Sequence, residues 1–134
     1  MRISSKGRYA VRLMAELARR EGENVSVADI ANAQDISAKY LEKIISILSK
    51  NRLIEGSRGV KGGYKLTKPA DKYSVAEILR VTGDLPELAP CLRDGYECAR
   101  ADKCDSVGCW ERLDALINNY LSKVSLQDIL DKKY

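Results

Sequence analysis

Histidine and phenylalanine are both absent from this chain of 134 residues. Without an imidazole there is no ordinary general base near neutral pH and no Cys-His zinc finger, so histidine-based catalysis is excluded. No apolar run approaches the roughly 20 residues needed to cross a bilayer. Nor does the start show a basic segment, an apolar core and a small-residue cleavage site, so a cytoplasmic protein with no membrane partner is expected. Paired carboxylates and a nucleophile-base combination are also missing. The glycine-rich stretch at 59–63 has the spacing of neither a P-loop nor a dinucleotide fingerprint, so the chain is not expected to be an enzyme. Cysteine is missing from the first 90 residues, and all four cysteines fall between 91 and 109. A secreted, disulfide-stapled domain would tie distant elements together. This clustering points instead to a local metal site or a thiol switch in a reducing compartment.

Charge is present in excess of one sign, and unevenly. Lys and Arg number 23 against 19 Asp and Glu, a formal +4, and residues 1–65 hold 13 basic and 7 acidic side chains. Residues 66–134 hold 10 basic and 12 acidic ones. The positive field therefore lies on the first half, as a module that binds a polyanion requires.

That half contains an ordered series of local signals. Residues 3–20 place Tyr9, Ala10, Leu13, Met14 and Leu17 on one face, predicting a helix of about 15 residues capped by Ser4 or Ser5. Its first turn carries Arg2, Ser4, Ser5 and Lys6, a combination of hydroxyls, cations and free N–H groups that suits a DNA phosphate. Ser26-x-x-Asp29 reads as a capping box, as do Ser74-x-x-Glu77 and Ser125-x-x-Asp128. After a break at Ala33-Gln34-Asp35, Ser37 can cap a second helix whose apolar stripe is Leu41, Ile44, Ile45 and Leu48.

Two helices across a tight turn, followed by short strands at 53–55 and 64–67, predict a helix-turn-helix with a hairpin wing. In that arrangement the second helix enters the major groove, which places Ser37, Lys39 and Tyr40, then Glu42 and Lys43, at base edges. Lys can donate to guanine and Glu can accept from cytosine N4. An intrahelical pair with neighbouring lysines is the alternative for Glu42. The wing tip, Ser57 to Gly63, offers Arg58 and Lys61 to a minor groove.

Residues 83–105 show two prolines, mixed charge and little periodicity, and predict a long loop that needs something to hold it. Cys91, Cys98, Cys104 and Cys109 are separated by six, five and four residues. Only the last pair approaches the close spacing usual for zinc, and wider spacing is workable for an iron-sulfur cluster. A metal site of some kind is therefore expected, with a thiol or disulfide switch and inert cysteines as alternatives. Arg93, Arg100 and Lys103 are placed to lower thiol pKa values, and Trp110 to shield one side. From Ser106 onward Trp110, Leu113, Leu116, Ile117, Tyr120 and Leu121 follow a three-four spacing. This long amphipathic helix has little core of its own to meet, so a two-fold homodimer on a palindromic double-stranded DNA site is expected. Folding back onto its own domain is the alternative. The expected fold is mainly α with a small β-hairpin, divided as a winged helix-turn-helix at 1–82, a cysteine loop at 83–105 and a dimerisation helix with a closing helix at 106–134.

Four stretches together resemble the IscR-type family of winged-helix regulators: Arg2 to Val11, Ile36 to Lys43, Arg58 to Tyr64, and the cysteine loop running into Cys109-Trp110. The resemblance covers essentially the whole chain. It implies a homodimer crossed through the long helix, Arg58 inserted in the minor groove, and Ser37, Tyr40 and Glu42 at the major groove, with Glu42 discriminating operator classes. It further implies a repressor or other transcription regulator that senses iron-sulfur cluster status, controls cluster-biogenesis genes, and holds a 2Fe-2S or alternatively a 4Fe-4S cluster through Cys91, Cys98 and Cys104. The sequence departs from the family pattern by one extra residue between the first two cysteines and by Val107 where a histidine ligand is expected. The fourth ligand then falls to Cys109, Asp102 or Asp105, since Arg8 stands where some relatives place a carboxylate. A thiol-, oxidant- or nitric-oxide-responsive repressor of the same fold, and a non-regulatory iron-sulfur redox protein, are the competing functions.

Overall fold

The computed structural model describes residues 1–134 as six α-helices and one two-stranded sheet. Helix α1, Ser5–Arg19, runs through the middle, with Ala10, Leu13, Met14 and Leu17 all essentially buried. Ser4 caps it by accepting the Gly7 N–H at 3.2 Å. Helix α2, Val27–Gln34, ends at Asp35 in the left-handed conformation, a backbone state that Asp tolerates. Ile36 is then buried, and Ser37 caps α3, Ala38–Lys50. The break therefore lies at 35–37 and not at Ala33-Gln34-Asp35, because the left-handed residue is what reverses the chain. Buried Glu16 links α1 to α2, accepting from Gln34 at 2.8 Å and pairing with Arg19 and Arg20.

The wing consists of β1, Ile54–Ser57, antiparallel to β2, Gly63–Leu66, in the register Ile54↔Leu66 to Ser57↔Gly63. Both strands sit about a residue away from their sequence-based positions. Val25 and Tyr64 exchange N–H to carbonyl bonds at 2.9 Å, which fastens the wing to the segment entering α2. This close approach needs Gly63, where a Cβ would stand 2.5 Å from the Val25 carbonyl. The two ends of the hairpin converge on buried Tyr73, whose hydroxyl donates to the Leu53 carbonyl at 2.7 Å and accepts from the Thr67 and Lys68 N–H groups.

Helix α4, Val75–Val81, leads into the long loop, which contains only two short 3-10 turns at Pro90–Leu92 and Ala101–Lys103. Helix α5, Val107–Lys123, has no buried residue. Helix α6, Leu126–Asp131, packs Ile129 against the same cluster, Val75, Leu79 and Val124, as Leu121 of α5, and also reaches the main core. The Leu126 N–H bonds the Tyr73 carbonyl at 2.9 Å, and Leu126 is fully buried in the core built around α1. Of the three predicted capping boxes only Ser125–Asp128 is reciprocal. Ser26 and Ser74 accept from the third residue on, but Glu77 turns its carboxylate to Lys68 at 3.0 Å.

Candidate functional site

At the start of α3, Ser37, Lys39, Glu42 and Lys43 are exposed, and Ser37 Oγ accepts the Tyr40 N–H at 3.2 Å. Lys39, Glu42 and Lys43 enter no ion pair, so the intrahelical pairing that was the alternative for Glu42 is not formed. Tyr40 differs from its neighbours. It is half-buried and meets Tyr9 edge to face at 5.8 Å, and the Arg12 guanidinium lies over the Tyr9 ring at 5.2 Å. Its ring is thus part of the α1–α3 packing, and it is only partly open to a ligand.

On the wing, Arg58 and Lys61 are exposed and unpaired, with fully exposed Val60 between them. Lys65, lower on the hairpin, is neutralised by Glu55 at 3.4 Å. The free cations of the wing are therefore at its tip. The reason is local: Gly59 takes a positive φ and Gly62 donates to the Gly59 carbonyl at 2.9 Å, which closes the tip without any side-chain clasp.

The N-terminus of α1 is less free than its sequence suggests. The Ser4 N–H donates to Asp84 Oδ1 at 3.3 Å, and Lys6 Nζ lies 3.9 Å from Oδ2. Ser4 Oγ is occupied by the cap, and Ser5 Oγ accepts from Arg8 at 3.1 Å. Arg2 and Arg8 are exposed and in no ion pair, whereas Lys6 is half-exposed and lies beside Asp84. Asp84 supplies the negative charge that a helix N-terminus favours.

The four cysteines are free. Cys91 and Cys104 are half-buried, Cys98 and Cys109 are exposed, and no three Cys, Asp or Glu side chains converge as a metal-holding group in the single chain. The donor chemistry nevertheless fits an iron-sulfur cluster, since Cys91, Cys98 and Cys104 are soft thiols on one stretch that carries only short 3-10 turns and no α-helix or strand. The Cys104 thiol is pushed below its ordinary pKa by the Ser106 hydroxyl first, then by the Ser106 and Val107 N–H groups. Cations are not the cause: Arg93 is committed to Glu87 at 2.6 Å. Because α5 begins at Val107, Val107 and Cys109 are both helical and diverge by about 200° around the axis.

On α5, Trp110, Leu113, Leu116 and Tyr120 are 43, 41, 54 and 53% exposed. Leu121 instead packs toward Val75, Leu79 and Val124 of its own chain, and Ile117 is half-buried. Leu88 and Ala89 of the loop form an apolar groove with Trp110 and Leu113. No helix is long and apolar enough to cross a membrane.

The family model Rrf2, described as an iron-dependent transcriptional regulator, matches residues 3–132. The HTH-type transcriptional regulator IscR of Photorhabdus laumondii is 38% identical over 99% of this chain and 81% of that protein. Among solved structures, CymR, the global cysteine regulator of B. subtilis, superposes with a TM-score of 0.81 at 29% identity over 98% of both chains. T. potens IscR gives 0.76 at 30% identity, covering all of this chain and 89% of the other.

Proposed function

Since the chain belongs to the Rrf2 family of DNA-binding transcriptional regulators, which are not enzymes, we propose that it acts as a homodimer on palindromic DNA and senses iron-sulfur cluster status. The observation that carries this reading is α5, a helix of 17 residues with no buried side chain and four large apolar ones exposed. A second copy of the helix is what would cover them. Two-fold pairing repeats α3 and the wing on a palindrome. Lys39 and Lys43 with Glu42 would then meet base edges in the major groove, Ser37 and the edge of Tyr40 would stand beside them, and Arg58 would enter the minor groove with Lys61 nearby. Arg2 and Lys6 would meet phosphate, whereas Ser4 is committed to its cap and to Asp84.

Cys91, Cys98 and Cys104 would hold the cluster, with the fourth ligand from Asp102, Asp105 or, if the first turn of α5 rearranges, Cys109. A bound cluster, 2Fe-2S or 4Fe-4S, would supply a soft inorganic core sensitive to iron supply and oxidants. The chain's part is to join the loop at both ends to elements that position the heads: Asp84 to α1, and Ser106 to α5. Ordering the loop then favours one spacing of the two recognition helices, as a ligand favours one of two conformations. Genes of cluster biogenesis are the proposed targets, and the cytoplasm the compartment.

The test uses anaerobically prepared protein, with iron and acid-labile sulfide counted per chain and affinity for a palindromic duplex measured on the same sample. Equal iron and sulfide near two or four is expected. Arg58→Ala and Lys39→Ala should weaken binding, and replacement of Cys91, Cys98 and Cys104 should change operator choice or affinity. Unchanged operator binding in that triple variant would sink cluster sensing. Three free thiols on the loop and a fourth in the first turn of α5 favour a second reading, a thiol- or oxidant-responsive repressor of the same fold, if iron and sulfide are absent after reconstitution.

A further inference from the structure

Ser106 is the joint between the cysteine loop and α5, and its hydroxyl is engaged on both sides. The Trp110 indole N–H donates to Ser106 Oγ at 3.2 Å, and that oxygen lies 3.6 Å from Cys104 Sγ. An indole nitrogen can only donate, and a hydroxyl has one proton and two lone pairs. Trp110 therefore takes one lone pair of the oxygen, and the Cys104 contact uses either the hydroxyl proton or, through the second lone pair, the thiol proton.

The contrast with the other helix starts is informative. Ser4, Ser26, Ser37, Ser74 and Ser125 each accept the N–H of the third residue on. Ser106 occupies the same place before α5 and caps nothing. Its oxygen is withdrawn from the usual task of an N-cap serine and spent on a cysteine and a tryptophan instead.

We infer that Ser106 is a positioning residue that couples the chemical state of the Cys104 sulfur to the orientation of Trp110 on the exposed face of α5. A sulfur ligated to a soft metal has no proton to donate and is no longer the same acceptor, so its contact with the Ser106 hydroxyl changes whichever group donates. The hydroxyl then turns, and the indole N–H loses or shifts its partner. Trp110 lines the apolar groove with Leu88, Ala89 and Leu113, so its movement changes the surface that a second chain would meet. The use of this coupling in regulation rests on the function proposed above, whereas the coupling itself needs only the thiol.

Trp110 is the sole tryptophan, so the emission of metal-free, full-length protein reads this indole alone. Emission maximum and lifetime are compared for the wild type, Cys104→Ala, Ser106→Ala, the double variant and Ser106→Thr. Each single alanine variant should shift the emission, and Cys104→Ala should add nothing once Ser106 is replaced. A Ser106→Thr protein, which keeps the hydroxyl, should regain sensitivity to position 104. A Cys104 effect of equal size with and without the serine overturns the inference, as does unchanged emission in Ser106→Ala. Iron and sulfide counts decide the cluster separately. A protein that takes up no cluster but shows the serine-dependent shift removes the sensor reading and leaves this one, and the opposite pattern removes only this one.

Discussion

Tyr73→Phe deletes one oxygen and leaves a ring that is 1% exposed in place. The lost hydroxyl donates to the Leu53 carbonyl at 2.7 Å and accepts from Thr67 and Lys68 N–H at 2.9 and 3.1 Å. Leu53 precedes β1 and Thr67 follows β2, so this oxygen ties both ends of the wing. After its removal the Leu53 carbonyl keeps only longer bonds from Thr67, at 3.3 and 3.4 Å. The two N–H groups are partly buried and can turn toward water. With about 1 kcal/mol net per bond and about 1–3 kcal/mol for a buried group left short of partners, the expected loss is ~2 kcal/mol of unfolding free energy. That is at the low end of a buried Leu→Ala cavity, which costs about 2–5 kcal/mol. Urea unfolding at fixed protein concentration should show a lower midpoint with an unchanged slope. Binding to duplex should weaken as well, because Arg58 and Lys61 ride on the loosened hairpin. A loss below about 0.5 kcal/mol, within the range of an ordinary surface change, would refute the reasoning.

Gly7→Ala should destabilise although alanine is the better helix former by about 1 kcal/mol, because a Cβ there would stand 2.8 Å from Asp84 Cβ and 3.0 Å from Leu79 Cδ2. A variant more stable than the wild type in thermal unfolding would show that the Asp84 contact yields easily. Leu116→Asp, at a residue 54% exposed in the single chain, should leave the fold intact and shift sedimentation from dimer to monomer, with a large loss of affinity for a palindrome. An unchanged sedimentation coefficient would refute the proposed pairing through this face of α5. The Asp128 carboxyl is held below its ordinary pKa by the Ser125 hydroxyl and then the Ser125 N–H. Its contribution to stability is therefore full above the ordinary aspartate pKa and is lost as pH falls through the lowered value. In Ser125→Ala the carboxyl resonance should titrate closer to the ordinary range, and an identical titration would rule out the hydroxyl as the cause.

Much of the fold was legible because its signals act within three or four residues. Serines 4, 26, 37, 74 and 125 announce helices that begin on the next residue, and the apolar spacing of α1, α3 and α5 marks which faces need cover. Glycines and cations marked the wing tip, and the cysteines marked the loop. These same residues carried the resemblance to winged regulators that the family match and the structural neighbours bear out.

Tertiary structure alone decided how distant segments meet. Asp84 reaches the Ser4 N–H across 80 residues, α6 returns to the core at Leu126, and Gly63 lets the wing touch Val25. It also decided that Tyr40 packs against Tyr9 while Lys39, Glu42 and Lys43 stay free, and that the Ser106 hydroxyl accepts from Trp110 and meets Cys104 when five other serines cap. Caps and periodicity follow from local sterics and hydrogen bonding, and so can be read along the chain. Which side chains become neighbours depends on the path of the whole backbone, and that path follows from packing all the apolar faces at once.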